Sequence, residues 1–360
     1  MTTTHRIAVI PGDGIGAEVM PEALRVLDQL AADGDFTFSW QHFDWSCTRY
    51  QEQGAMMPPD GLEQLRAHDA IFLGAVGRPD VPDHVSLWGL LIPIRRAFDQ
   101  YVNLRPIRLF AGVPSPLDRS RAGDVDIVVV RENTEGEYSE VGGRMFRGTQ
   151  HEFATQQAVF TRRGVERIIR YAFEAARARR AHLTAATKSN GIVHTMPFWD
   201  EIFDELAAAH PDVTTRREHI DALSAKLVMR PGDFDVIVGS NLFGDILSDL
   251  AAGIAGSIGI APSANLNPEL EHPSMFEPVH GSAPDIAGRG VANPLGQLWS
   301  GAMLLDHLGQ ATAAARLMRA IEATLDDGGT LTPDLGGSAT TPQVSDAVLA
   351  HLEHTREAQV

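Results

Sequence analysis

Residues 234–249 read FDVIVGSNLFGDILSD, an apolar run that predicts a buried strand, followed by a run that predicts a helix. In that helix Asp245 and Asp249 are four positions apart, so both carboxylates project from one face. Adjacent carboxylates repel each other unless a cation lies between them, and oxygen ligands suit Mg²⁺ or Mn²⁺. The alternative is an ordinary solvated face, because acids are favoured near helix N-termini. This stretch alone leaves both interpretations open.

Length and composition narrow the class of protein. The chain has 360 residues, enough for two domains, and its 44% hydrophobic and 7% aromatic content is ordinary for a globular α/β protein. The formal net charge of -17 disfavours nucleic acid and anionic membranes as partners. No apolar run is long enough to span a bilayer, and the first six residues lack the features of a signal peptide. With a single cysteine, Cys47, no internal disulfide can form, and we expect a cytoplasmic protein.

The rest of the chain alternates between strand and helix patterns. Short apolar runs typical of strands occur at residues 6–10, 70–73, 126–130, 182–185, 213–218 and 234–238. Helical spacing at residues 165–179 and 197–210 separates several of these runs. This alternation predicts an α/β protein with a parallel sheet.

Polar residues follow four of the predicted strands. They are Arg131, Lys188, Asp221 and Asp245. Because the carboxyl ends of parallel strands share the edge of a sheet where ligands bind, these residues predict a common polar pocket.

Two glycine-rich segments are candidates for a nucleotide site. Residues 12–17 fit a loose G-x-G-x-x-A pattern after a strand, which indicates either a Rossmann phosphate loop or only a tight turn. Residues 276–294 contain a histidine, several small residues, an acid and an asparagine that could bind a nucleoside. Composition alone does not decide between them.

Six motifs occur in a fixed order along the chain. They are IPGDGIG (10–16), NLRP (103–106), RENTEGEY (131–138), TKSN (187–190), the helix with Asp245 and Asp249, and HGSAPD (280–285). Together they resemble the isocitrate and isopropylmalate dehydrogenase family of metal-dependent β-decarboxylating dehydrogenases, over nearly the whole chain. The resemblance implies a two-domain α/β fold that is not a true Rossmann domain. Residues 1–103 and 257–360 would form a large domain with both termini and the NAD adenosine loop. Residues 104–256 would form a smaller central domain with the metal site and the dimer interface.

The resemblance also implies roles for individual residues. Arg95, Arg105 and Arg131 would clamp the carboxylates of a small 2-hydroxy dicarboxylate, because guanidinium forks match carboxylate geometry. Tyr138 and Lys188 resemble the catalytic acid/base pair of the family. Lys188 would take up the hydroxyl proton, and Tyr138 would protonate the enol that remains after CO₂ leaves.

Metal and cofactor ligands are implied in the same way. Asp245 and Asp249 would bind Mn²⁺ or Mg²⁺ in one subunit of a homodimer, and Asp221 would be supplied by the other subunit. The residues implied for the cofactor are His280, Gly281, Ser282, Ala283, Asp285, Ile286 and Asn293. Because Asp285 can accept a hydrogen bond from a ribose 2′-hydroxyl and repels a 2′-phosphate, NAD is the expected cofactor. Family behaviour also implies assistance by a monovalent cation such as K⁺.

Substrate choice in this family depends on the residues just before Arg95. Isopropylmalate enzymes resemble Gly-Leu-Leu-x-Leu-Arg there, whereas GLLIPIR (89–95) is one residue longer and has Ser86 and Trp88 upstream. This segment, FDQYVN (98–103) and FTRRG (160–164) look most like the tartrate dehydrogenase/D-malate dehydrogenase branch. We therefore expect NAD-dependent oxidation of D-malate or tartrate, with decarboxylation of D-malate to pyruvate and CO₂. The alternatives are a 3-isopropylmalate dehydrogenase and a catalytically silent regulatory subunit.

Overall fold

The computed structural model describes residues 2–117 and 123–357, and these residues form two compact units. Unit 1 takes its residues from Met1–Gln100, Pro106–Val125 and Ala252–Val360, and unit 2 from Tyr101–Arg105 and Asp126–Ala251. The functions expected for the two domains, the cofactor loop in one and the metal site and dimer interface in the other, stay predictions.

The strands of both units are numbered in chain order. They are β1 (Thr3–Gly12), β2 (Phe36–His42), β3 (Ala70–Ala75), β4 (Val102–Arg108), β5 (Asp126–Glu132), β6 (Gly142–Met145), β7 (Phe153–Gln156), β8 (His182–Thr187), β9 (Thr214–His219), β10 (Val236–Gly239), β11 (Pro262–Leu266) and β12 (Ser274–Pro278). Every strand that the sequence predicts is therefore present, with ends shifted by at most three residues.

The helices are numbered in the same way. They are α1 (Gly16–Ala32), α2 (Cys47–Gln53), α3 (Gly61–Arg66), α4 (Asp83–Ser86), α5 (Ile92–Ala97), α6 (Arg162–Arg177), α7 (Thr195–Ala209), α8 (Ile220–Met229), α9 (Asn241–Ile254), α10 (Leu295–His307), α11 (Ala311–Asp327) and α12 (Thr341–Glu357). Short 3₁₀ turns occur at Pro231–Asp233, Ile258–Ile260 and Pro333–Leu335. Among the described residues, no helix combines the length and the apolar character that crossing a membrane requires.

In unit 1 the strands lie in the order β2-β1-β3-β12-β11. The pairs β1/β2, β1/β3 and β3/β12 are parallel, and β11 is antiparallel to β12. The centre of β1, residues 7–10, is fully buried, as its continuous apolar run predicts. Helix α1 covers the sheet with Val19, Ala23, Val26, Leu27 and Leu30, which keep the predicted helical spacing and are all buried.

In unit 2 β4 lies beside β5, followed by β10, β8 and β9. The pairs β5/β10, β10/β8 and β8/β9 are parallel. Helix α6 packs on β5, β8 and β10, and α7 packs on α6 and β8. The stretch 234–249 forms β10 and most of α9, as its pattern predicts.

The segment before Arg95 contains one π-helical turn. α4, the π turn Leu87–Leu91 and α5 follow each other without interruption. The N–H of Ile92 donates to the carbonyl of Leu87, five residues back. Because this bond spans one residue more than an α-helical bond, the turn accommodates one extra residue in a helical segment. The segment GLLIPIR (89–95) runs from this turn into α5.

Candidate active site

Strand register decides which polar residues meet in unit 2. Gly239 of β10 is aligned with Arg131 of β5, so Arg131 lies beside the turn from β10 into α9. Thr187 of β8 is aligned with His219 of β9, so the residues that follow these two strands are also neighbours. The predicted polar residues therefore form two groups at strand ends, one around α9 and one between β8 and β9.

The first group joins two buried arginines to the acid pair of α9. Arg105 is 8% exposed, and its Nη1 lies 3.0 Å from Asp249 Oδ1 and 3.2 Å from Asp245 Oδ1. Arg131 is 2% exposed, and its Nη1 lies 2.6 Å from Asp245 Oδ1. Asp245 lies in the second turn of α9, and Asp249 one turn further on. The structure thus brings these four charged side chains together within one unit.

Neutral side chains of α9 fix the two guanidinium groups. Arg131 donates from Nη2 and Nε to Asn241 Oδ1, at 2.6 Å and 3.2 Å. Arg105 donates from Nη1 to Ser248 Oγ at 2.7 Å, whereas its buried Nε has no hydrogen-bond partner among the described residues. Sequence reasoning missed Asn241 and Ser248, although both lie within residues 234–249.

The acid pair has the donor chemistry that a divalent cation requires. Both side chains are partly accessible, at 31% for Asp245 and 52% for Asp249. Burial raises the pKa of Asp249, and the Asp245 carboxylate raises it further while Arg105 opposes the change. Two like-charged oxygen ligands on one helical face fit Mg²⁺ or Mn²⁺. Within the described part of the chain, no three His, Cys, Asp or Glu side chains are grouped closely enough to hold a metal.

Tyr138 completes the first group. Its hydroxyl donates to Asp245 Oδ2 at 3.0 Å, and the Arg131 guanidinium lies 5.6 Å from its ring centre. Burial and the Asp245 carboxylate raise the pKa of the phenol. The phenol is therefore protonated at neutral pH, as a proton donor must be.

The second group consists of Lys188 and Asp221. Lys188 Nζ donates to Asp221 Oδ1 at 2.7 Å, and this bond lowers the pKa of the Asp221 carboxyl. Lys188 directly follows β8, and Asp221 is the second residue of α8. Asp221 thus pairs with Lys188 of its own chain.

In unit 1 Arg95 is buried next to an acid that sequence reasoning missed. Arg95 is 7% exposed, and its Nη2 donates to Glu277 Oε1 at 2.8 Å. Asn265 donates from Nδ2 to the same oxygen at 2.7 Å. The Nε of Arg95 is buried and has no hydrogen-bond partner in the described ranges. The guanidinium of Arg95 is thus held through Nη2.

The two predicted specificity residues lie at the π turn. Ser86 is buried, and its hydroxyl donates to the carbonyl of Asp83 at 3.0 Å. The ring of Trp88 lies under the guanidinium of Arg96, 5.0 Å from ring centre to Cζ. Whether either contacts a substrate stays a prediction.

The glycines of residues 12–17 allow close backbone approaches. Gly12 and Gly14 have φ of 74° and 56°. A Cβ on Gly12 would lie 1.9 Å from the carbonyl oxygen of Ala75, and one on Gly14 would lie 2.1 Å from that of Ser282. Ile15 donates its N–H to the same Ser282 oxygen at 2.9 Å. These contacts explain the glycines without a phosphate.

The loop that begins at His280 has features that suit a nucleoside. Burial lowers the pKa of His280, whose Nδ1 lies 3.0 Å from the Gly281 carbonyl oxygen and whose buried Nε2 has no partner in the described ranges. Ala283 has a φ of 40°, which is uncommon for a residue with a side chain. Asn293 is buried and donates to Asp334 Oδ2 at 3.0 Å, so its amide also supports the fold.

The far side of this loop rests on α1. Asp285 is exposed, and Ile286 packs against the buried side chains at the start of α1. The Glu18 carboxylate accepts the backbone N–H groups of Gly288 and Gly290, the latter at 2.9 Å. An accessible Asp285 and the unpartnered Nε2 of His280 fit an adenosine, and Glu18 is a structural residue that sequence reasoning missed.

The comparisons with known proteins identify the class first. The fold matches the crystal structure of isocitrate dehydrogenase from Methylococcus capsulatus with a TM-score of 0.87 and 37% identity, covering 97% of this chain and 99% of that one. The predicted α/β fold class is thus confirmed.

The family follows from the sequence match. The chain belongs to the isocitrate/isopropylmalate dehydrogenase family, whose model matches residues 6–348. It is 57% identical over 356 residues to the D-malate dehydrogenase [decarboxylating] of Escherichia coli (strain K12), covering 97% of this chain and 98% of that protein. It is 55% identical over 362 residues to the tartrate dehydrogenase/decarboxylase of Pseudomonas putida, covering 97% and 99%. The predicted resemblance to this branch is confirmed.

Proposed function

We propose that the protein uses NAD and Mn²⁺ or Mg²⁺ to oxidise D-malate or tartrate, and that it decarboxylates the product of D-malate to pyruvate and CO₂. The observation that carries the proposal is the group in which Arg105, Arg131 and Tyr138 contact Asp245 and Asp249. The names of relatives at 57% and 55% identity support this substrate class.

The arginines account for binding of a dianion by an acidic protein. Arg95, Arg105 and Arg131 are each more than nine-tenths buried, so their positive charge is little screened by solvent. Buried Nε atoms of Arg95 and Arg105 lack partners within the described ranges, and substrate carboxylate oxygens would satisfy them. Glu277 and Ser248 would hold these forks in place.

Asp245 and Asp249 would hold the divalent ion, which supplies stabilisation of negative charge on substrate oxygens during oxidation and CO₂ loss. The side chains of the protein would move the protons. Lys188 Nζ would take the proton of the C2 hydroxyl while a hydride passes from C2 to NAD, giving oxaloacetate from D-malate. Loss of CO₂ from oxaloacetate leaves the enolate of pyruvate, and Tyr138 Oη would donate a proton to its methylene carbon. The proton that Lys188 takes balances the one that Tyr138 gives.

A homodimer would bring the two polar groups together. Asp221 of α8 is hydrogen-bonded to Lys188, which follows β8. If α8 places Asp221 in the active site of a second subunit, Lys188 would therefore enter the same site. Exposed apolar side chains accompany these elements in unit 2: Val141, Met145, Phe146, Phe153, Val228, Met229 and Ile246. The two-stranded β6/β7 ribbon is exposed along its whole length, and such ribbons need packing to be stable. A second copy of the chain is the proposed occupant of this surface.

The remaining expectations belong to the same proposal. NAD would be chosen over NADP because the exposed Asp285 would repel a 2′-phosphate. K⁺ would assist turnover, and the single buried Cys47, which can form no disulfide within the chain, supports a cytoplasmic location.

Turnover assays test the proposal. Purified protein is given D-malate, L-tartrate or 3-isopropylmalate, each with NAD or NADP and with or without Mn²⁺, and NADH and CO₂ are measured. We expect Mn²⁺-dependent NADH formation with D-malate or tartrate, and CO₂ release with D-malate. Activity confined to 3-isopropylmalate would overturn the substrate assignment. Absence of NADH with all three substrates would favour the silent regulatory subunit.

A further inference from the structure

The loop that carries Tyr138 is fastened to α9 by a carboxylate outside the predicted site. Glu137 Oε1 accepts the hydroxyl of Ser240 at 2.7 Å, and Glu137 Oε2 accepts the N–H of Leu242 at 3.1 Å. Ser240 Oγ also accepts the N–H of Phe243 at 3.3 Å, so Ser240 and Glu137 together cap the N-terminus of α9. A negative charge at this position is favoured by the helix dipole.

Tyr138 and Glu137 thus bind the same helix one turn apart. The Tyr138 hydroxyl donates to Asp245 at 3.0 Å, whereas the Glu137 carboxylate holds the first residues of α9. Because adjacent residues of one loop are fixed at two points of one helix, the position of the phenol relative to Asp245 depends on both contacts.

We propose that Glu137 is a positioning residue, which sets the Tyr138 hydroxyl against α9 for transfer of a proton to the decarboxylated product. This inference rests on the proposed function, in which Tyr138 completes the second half of the reaction. Oxidation by hydride transfer uses Lys188 and the arginines, none of which contacts Glu137 through a described hydrogen bond. Loss of Glu137 should therefore slow pyruvate formation more than NADH formation.

Glu135 provides a matched control in the same loop. Its Oε1 accepts the N–H of Thr161 and its Oε2 accepts the hydroxyl of Thr161, both at 2.9 Å. Thr161 is the N-cap of α6, so Glu135 makes the same type of anchor on a different helix. Glu135→Gln removes one loop carboxylate and leaves in place the contact of Glu135 with α9, in which its backbone carbonyl accepts the amide of Asn241 at 3.5 Å.

The experiment compares Glu137→Ala, Glu137→Gln and Glu135→Gln with the unaltered protein on D-malate, in the presence of NAD and Mn²⁺. Pyruvate and CO₂ are measured against NADH over the first turnovers, before released enol converts to pyruvate in solution. Displacement of a reacting group by about 1 Å costs on the order of a hundredfold in rate. We expect Glu137→Ala to lower pyruvate formation roughly 10- to 100-fold. NADH formation and the KM for D-malate should change less than about threefold in this variant. Because Tyr138 acts after CO₂ has left, CO₂ release should still follow NADH formation, and the enolate of pyruvate or its enol should accumulate in place of pyruvate. Glu137→Gln keeps one acceptor oxygen, so its ratio of pyruvate to NADH should lie between those of Glu137→Ala and the unaltered protein. Glu135→Gln should keep the ratio of the unaltered protein.

Equal ratios of pyruvate to NADH in Glu137→Ala, Glu135→Gln and unaltered protein would overturn the inference. If Glu137→Ala and Glu135→Gln lose pyruvate formation and NADH formation to the same extent, the inference is also overturned, because such a loss indicates a general loss of structure. If Glu137→Ala does not fold, Glu137→Gln decides by the same ratio.

A second measurement separates failure of this inference from failure of the proposed function. Amide hydrogen exchange of substrate-free protein is followed over residues 136–144 and 240–244. Glu137→Ala should speed exchange in both segments, because the N–H of Leu242 loses its acceptor, and Glu135→Gln should not. If the unaltered protein has no activity but Glu137→Ala still speeds exchange in both segments, the proposed function is refuted and the anchoring role of Glu137 is retained. Unchanged exchange in Glu137→Ala would refute the anchor itself.

Discussion

Asp249→Asn tests whether the acid pair of α9 binds a divalent ion or is a solvated face. The substitution keeps the shape of the side chain and removes one negative charge. Arg105 retains Ser248 Oγ at 2.7 Å and Asp245 Oδ1 at 3.2 Å, so its buried guanidinium stays paired. Asp249 itself is 52% exposed, so we expect the fold to be preserved.

The expected loss of metal affinity follows from Coulomb's law. One unit charge about 4 Å from a divalent ion contributes about 2 kcal/mol in water and about 8 kcal/mol at an effective dielectric constant of about 20. Because half of the Asp249 side chain is exposed, solvent screening places the value near the lower limit. A loss of about 2–4 kcal/mol corresponds to a decrease in Mn²⁺ affinity of roughly 30-fold to several hundredfold.

Titration calorimetry with Mn²⁺ measures this affinity without substrate, and the Mn²⁺ concentration for half-maximal turnover measures it in the reaction. Glu201→Gln is the matched control, because Glu201 and Glu205 are also acids four positions apart on a helix, and both are exposed. Unchanged Mn²⁺ affinity in Asp249→Asn, or an equal loss in the control, would show that the pair is only a solvated face.

Three further predictions concern other parts of the molecule. Burial and a neighbouring carboxylate raise the pKa of Cys47 to about 12, so the folded state keeps the thiol proton and loses stability only as pH rises toward that value. Iodoacetamide at about pH 8.5 should therefore modify Cys47 in urea but not in native protein, and rapid native modification would contradict this. Asp235→Ala should lower the free energy of unfolding, measured by urea titration, by about 3 kcal/mol. The reason is that Arg179 Nε loses a 2.7 Å ion pair with an acid that is 2% exposed. A loss below about 1 kcal/mol would contradict this prediction. Glu18→Ala should raise the KM for NAD several-fold without changing the KM for D-malate, because the loop at residues 280–293 loses its carboxylate anchor. Equal changes in the two KM values would argue against a cofactor role for this loop.

The sequence predicted local structure well because local patterns determine it. The apolar run at residues 234–238 and the four-residue spacing of Asp245 and Asp249 define β10 and one face of α9 from neighbouring residues alone. Family motifs then indicated which arginines belong near that face. Arg105 and Arg131 do contact it in the structure.

The contacts that depend on strand order could not be predicted from the sequence. In unit 2 β10 lies between β5 and β8, although it comes after both in the chain, and this order separates Lys188 from Arg131. Glu277 next to Arg95 is a long-range contact between residues 182 positions apart, and no local pattern signals it. Asn241 was visible in the opening stretch, but only the alignment of Gly239 with Arg131 shows that its amide meets a guanidinium.

The π turn at Leu87–Leu91 has a consequence for how this enzyme could diverge. Each residue of an α-helix turns the chain by about 100°. Deleting one residue from the turn would restore ordinary α-helical bonding and rotate the part of the helix before the deletion, with Ser86, by about that angle relative to Arg95. The ion pair of Arg95 with Glu277 would keep the downstream end in place. A single codon lost or gained here would thus exchange the side chains presented beside the arginine while leaving the catalytic framework untouched.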